Sequence, residues 1–354
     1  MCAAMAAIAA AAKEDDPLLR MLNSKASGSA ASYEKAAGEV AAMAAKGKKG
    51  TPRTAVAQLL TAVASQEPDA PRAARLDAET HAKYLEATNT IRRLAVEKDN
   101  GLAWYLLALA TGETNCVLKA VERKNVQALN AWGTYLLAMA EGEKPARARE
   151  IRKEAQRLFK DAAAKNDANG MYNLGMCLSK GYGGEVDMAG AFQCFRTAAD
   201  TGHSEAINNV GFCFKEGIEV EKDAEAAKRW YKKSSDQRNP YGMFNYATMI
   251  DDESEAARLF KASAEGGCVE AMDAYALLLA EGRLVDKNLP QAFLLFKKAA
   301  AAGNPAAMSH LADCYERGLG VRADERKSTE WHIRARAARG DRSARIWLNE
   351  NAGK

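Results

Sequence analysis

The chain has 354 residues, with 50 Lys and Arg against 46 Asp and Glu; 48% of it is hydrophobic but only 7% aromatic. This apolar content excludes a wholly disordered chain, and no strongly apolar run of about 18 residues is present to cross a membrane as a helix. A formal charge of +4 over this length does not mark a general nucleic-acid binder.

From the N-terminus, Met1–Ala12 has the length of a signal-peptide core. No basic residue precedes it, and Lys13, Glu14, Asp15 and Asp16 follow at once, which argues against secretion. Arg20 is the only arginine before Arg53, which argues against a mitochondrial presequence. Residues 1–50 read as an Ala-rich, largely disordered tail with one transient helix near Tyr33–Ala45. Residues 51–124 read as divergent helical repeats: Thr54–Ser65 and Leu76–Val96, separated by Pro68 and Pro71, and then a helix over Leu102–Ala108.

From residue 125 to the end a repeat organises the sequence. A small residue opens an apolar helix at Ala128, Gly170, Ala206, Gly242, Ala271 and Ala307, in steps of 42, 36, 36, 29 and 36 residues. Large apolar residues follow it at offsets 1, 4 and 8, with a second small residue at offset 5, which is one face of a 3.6-residue period. A second helix in each unit carries a bulky pair (Leu158–Phe159, Cys194–Phe195, Trp230–Tyr231, Leu259–Phe260, Leu295–Phe296, Trp331–His332). A mostly small pair stands four residues later, for example Ala198–Ala199 and Ser234–Ser235.

The punctuation predicts two helices per unit. Asn125, Asp167, His203, Asn239, Asn304 and Asp341 stand where first-turn N–H groups need an acceptor, and Asp187, Asp223, Asn288 and Asp324 do so for the second helices. Gly202, Gly267, Gly303 and Gly340 suit the turn that ends each second helix. The unit opening at Gly242 has lost about seven residues between its helices, so Ile250–Glu253 must turn abruptly.

The opening pattern small-x-x-Asn-Leu-Gly, seen at Gly170–Gly175, and the loop Gly318–Asp324 (GLGVRAD) resemble the Sel1-like repeat, a relative of the tetratricopeptide repeat. The resemblance covers residues 125–348 well and reaches back toward residue 52 poorly. It implies an all-α fold, a right-handed α/α superhelical solenoid of helix pairs with a C-terminal capping helix, and the role of an adaptor that organises complexes.

The residues with chemical potential have plain structural readings. The cysteine count is odd, at seven (Cys2, Cys116, Cys177, Cys194, Cys213, Cys268 and Cys314), and no pair has CxxC spacing. Cys177, Cys213 and Cys314 share one column, where other units place apolar residues, so they read as core. Free thiols point to a reducing compartment, the cytoplasm in preference to the mitochondrion. Secreted Sel1-like proteins often carry a regular disulfide in each repeat, and that spacing is missing here. The histidines His81, His203, His310 and His332 are scattered, and no HExxH, paired-carboxylate or nucleophile–base arrangement stands out. No catalytic residue, metal site, cofactor or small-molecule substrate is expected.

Two surfaces remain. Asn173, Met176, Asn209, Phe212, Lys215, Asn245, Thr248, His310, Asp313 and Arg317 lie off the packing stripe of the first helices, which would line a groove for an extended or helical segment of a protein partner. The alternative for the Asn column is a hydrogen bond to neighbouring backbone. Phe212 is the sharper sign, being large and apolar away from the stripe. The second surface is basic: Arg334, Arg336, Arg339, Arg342 and Arg345, interrupted by acids. It reads as a solvated cap or as a docking site for an acidic protein surface, lipid head groups or RNA. The leading expectation is therefore a non-catalytic scaffold. The alternative is an RNA-associated helical-repeat subunit of a larger ribonucleoprotein, organellar or not, or of another assembly.

Overall fold

In a computed structural model of the protein, residues 89, 91–93 and 95–351 are described. The expected tail over 1–50, the helix Thr54–Ser65, most of Leu76–Val96, Cys2 and His81 lie outside the described residues. Among those described, every regular element is a helix and no strand occurs. The chain divides into two compact units between His203 and Ser204.

The unit ending at His203 contains α1 (Gly101–Thr111), α2 (Thr114–Glu122), α3 (Val126–Ala140), α4 (Pro145–Ala163), α5 (Ala168–Lys180) and α6 (Met188–Asp200). Four of these six helices start where the sequence offers an acceptor. Asn100, Asn125 and Asp167 each accept a hydrogen bond from the N–H three residues on, and Asp187 does the same for α6. Each such cap contributes about 1 kcal/mol. Leu129, Leu158, Phe159, Ala162 and Cys177 form a core between α3, α4 and α5, with Phe159 fully buried. The small residues in the columns are there because neighbours come close. A Cβ on Gly175 would stand 2.7 Å from the Phe195 ring, and one on Gly170 would stand 2.6 Å from the Cβ of Ala162. The first contact joins the two helices of one repeat, and the second joins that repeat to the helix before it.

The unit beginning at Ser204 contains α7 (Ser204–Glu216), α8 (Ala224–Asp236), α9 (Pro240–Ala247), α10 (Glu253–Glu265), α11 (Val269–Glu281), α12 (Leu289–Ala301), α13 (Pro305–Arg317), α14 (Glu325–Ala338) and α15 (Arg342–Asn351). Successive helices pack in antiparallel hairpins, the arrangement expected of short inter-helix links. Asp223, Asn239, Asp252, Asn288, Asn304, Asp324 and Asp341 all accept hydrogen bonds at helix starts. The core around Tyr275, Leu279, Phe296 and Leu311 continues the same seam. Where the small pair is Ser in place of Ala, its hydroxyl binds the start of its own repeat. Ser234 donates to the Ser204 carbonyl at 2.9 Å, and Ser263 donates to that of Pro240 at 2.6 Å.

Candidate interaction face on the first helices

The packing stripe decides which side chains of α7, α9, α11 and α13 remain outside. On α7 the buried set is Ser204, Ala206, Ile207, Val210, Gly211 and Cys213, which leaves Phe212 47% exposed between two core residues. The same offset carries Thr248, exposed just past α9, and half-buried Asp313 on α13. Lys215 and Arg317 are exposed one turn further on, at the ends of α7 and α13. In the preceding unit, Asn173 and Met176 are half-buried on α5.

Two members of the Asn column, Asn245 and His310, join consecutive repeats through side chains. Asn245 Nδ2 donates to Asn208 Oδ1 at 2.8 Å, linking α9 to α7. His310 Nδ1 lies 2.8 Å from Asp273 Oδ1, linking α13 to α11 at the corresponding positions. The hydrogen bond to Asp273 raises the His310 pKa above its ordinary value, while partial burial opposes the rise. Asn245 and His310 are thus pins between consecutive first helices, and Phe212, Lys215 and Thr248 are the open part of the surface. Asn208 and Asp273, the other halves of these pins, were not singled out from sequence. Their one signal is a polar residue at offset 2, where α5 and α9 carry aromatic ones.

The remaining sequence candidates are settled into the fold. His203 Nε2 lies 3.0 Å from Asn169 Oδ1, and its ring stacks on Tyr172. Of the described cysteines all are unpaired, and Cys177, Cys213 and Cys314 are buried. Burial pushes the thiols up to about 12 at Cys177 and about 11 at Cys213 and Cys314, which suppresses the thiolate needed for nucleophilic or metal chemistry. In the basic stretch, Arg334 pairs with Glu330 and Arg336 with Asp341. Arg339 donates to the Pro305 carbonyl and to Ser309, and Arg345 donates to the Ala337 carbonyl. Arg336, Arg339 and Arg345 thus tie the terminal helices to their neighbours, while Arg334 pairs within its own helix.

A cleft of about 710 Å³ opens between α4, α5 and the loop after α5. Leu174 and Leu178 line it together with Lys153, Lys160 and the ion-paired Arg157 and Glu154. Its lining mixes two leucines with charged side chains from one face of α4.

Comparison with known proteins places this architecture. The family model described as Sel1 repeat matches residues 168–203, 204–239, 242–268, 269–304 and 305–338. A crystal structure of a Sel1 repeat protein from Oxalobacter formigenes is similar at 24% identity, covering 70% of this chain and 96% of that one with a TM-score of 0.50. A protective antigen present in uropathogenic Escherichia coli strains, displaying an SLR fold, aligns at 18% identity over 93% of this chain and 82% of its own, with a TM-score of 0.48. Comparison with curated proteins gives no match.

Proposed function

Residues 168–338 make this chain a Sel1-repeat protein, and from that premise we propose that it is a non-catalytic scaffold binding an extended or helical segment of a protein partner. The binding face is that of the first helices in the unit beginning at Ser204, centred on Phe212 and flanked by Lys215 and Thr248, with Asp313 and Arg317 further along. The observation carrying this reading is the exposure of Phe212, a large aromatic side chain held between buried neighbours on a helix packed into the repeat. Rigid exposed aromatics are the anchors of protein interfaces, because they bury much area at little cost in side-chain freedom. The non-catalytic reading is supported by the buried thiols of Cys177, Cys213 and Cys314 and by the structural contacts of His203 and His310. The unpaired thiols support a reducing compartment, the cytoplasm. A role in RNA binding has less support, since four of the five basic-patch arginines already serve the protein's own groups.

The test is affinity purification from cells with the full chain and with Phe212→Glu. The exposed position leaves the fold intact, so loss of more than tenfold of a recovered protein partner is expected. Unchanged recovery, or recovery that nuclease abolishes, would overturn the proposal.

A further inference from the structure

The last repeat brings together three side chains that the binding face does not use as a set. Asp313 and Glu316 are three residues apart on α13 and therefore share one side of the helix. His332 comes from α14, the other arm of the hairpin. One donor atom from each of the three lies within 4.8 Å of the other two. We propose that Asp313, Glu316 and His332 bind a divalent transition-metal ion, with Zn²⁺ the best match, and that the ion clips α13 to α14.

Three observations carry this. First, the existing contact is unfinished. His332 Nε2 and Asp313 Oδ1 are 3.7 Å apart, too far for a hydrogen bond yet close enough for both to reach a common ion. Zn²⁺ bonds imidazole nitrogen and carboxylate oxygen at about 2.0–2.2 Å, so donors around one ion stand roughly 3–3.5 Å apart. Rotamer shifts of about an ångström, open to these partly exposed side chains, close the set.

Second, the two carboxylates lack a basic partner in arginine-rich surroundings. Asp324 pairs with Lys327, Glu330 with Arg334 and Asp341 with Arg336. Among the described residues Asp313 has only His332 as an ion-pair partner, and Glu316 has none. A divalent cation would neutralise both carboxylates at once. Third, the donor set includes an imidazole. Two carboxylates alone would suit Mg²⁺ or Ca²⁺, whereas adding a nitrogen ligand selects for the zinc end of the series. Three protein donors leave the remaining coordination positions to water.

The experiment is calorimetric titration of the reduced, chelator-stripped full chain with Zn²⁺, alongside thermal melts with and without the ion. Wild type should bind one ion at this site and melt at a higher temperature with it. His332→Gln, Asp313→Asn and Glu316→Gln should each lower the affinity at least tenfold, with unchanged circular dichroism. Cys194→Ser should leave it unchanged, and excess Mg²⁺ should not compete. Absence of binding at millimolar Zn²⁺, retention of wild-type affinity in His332→Gln, loss of it in Cys194→Ser, or displacement by Mg²⁺ would each overturn the proposal.

Discussion

The repeat at 305–338 and the shortened one at 242–268 solve the same packing problem with different lengths of chain. In the longer, α13 runs for 13 residues, ends at Gly318, and a glycine loop leads to the Asp324 cap of α14. In the shorter, α9 has eight residues, and Asp252 caps α10 only a few residues later. Both keep the Asn cap followed by Pro at the first helix, the small opening residue (Ala307 or Gly242) and an Asp cap on the second helix. The tilted ring pair Phe244–Phe260 supplies contact between the short repeat's helices, with ring centroids 5.8 Å apart. The lesson is that a repeat is defined by its seam, while the loop between its helices is an accessory.

That difference can be broken at the seam first. A Cβ at Gly242 would stand 2.5 Å from the Ser234 Cβ and 2.9 Å from its backbone carbonyl carbon, neither of which can swing aside. Gly242→Val should therefore destabilise the unit by about 3 kcal/mol or more, read as a lowered midpoint in urea. A midpoint within error of wild type would show that the seam yields.

The loop offers the next largest effect, and only in the long repeat. Gly320 has φ of 73° and lies against the start of α12, where a Cβ would collide with the Leu289 carbonyl, standing 2.5 Å from its carbon. Gly320→Val should cost about 2 kcal/mol from strain and collision together. The short repeat has no counterpart, and its stability is independent of any such contact.

The smallest effect concerns the pin between repeats. Because Asp273 raises the His310 pKa above the ordinary 6.5, folding favours the protonated ring. The stabilisation is complete below pH 6.5 and fades as pH rises through the folded value. Wild type should exceed His310→Gln in stability by about 1 kcal/mol near pH 6 and by less at pH 8. Asp313 and Arg339 also act on this ring, in opposite directions, so Asp273→Asn is the variant that isolates the pin. A pH-independent gap between the proteins would remove the charge from the account.

Much of this architecture was legible because it is local. The caps Asp187, Asp223, Asn288 and Asp324 were readable from side chains that accept within the next turn. The columns of small residues were readable because each repeat restates them. The thiol column was readable as core since thiols alternate there with apolar residues. The pins Asn208–Asn245 and Asp273–His310 were not, because each joins residues 37 positions apart whose register depends on how two helices pack. The arginines told a similar story. Composition showed a basic stretch, but whether each guanidinium faces solvent or a carbonyl such as that of Pro305 is decided by packing. Asp252 was read only as part of an abrupt turn, since the missing loop removed the spacing that marks the other caps.

The central claim is that a partner docks on the first-helix face at Phe212. A photo-crosslinking amino acid placed at position 212, and separately at the comparably exposed Leu294 on α12, tests this in living cells. The account predicts a discrete protein adduct from position 212 and little from position 294. Equal adducts from both positions, or adducts to RNA alone, would contradict it.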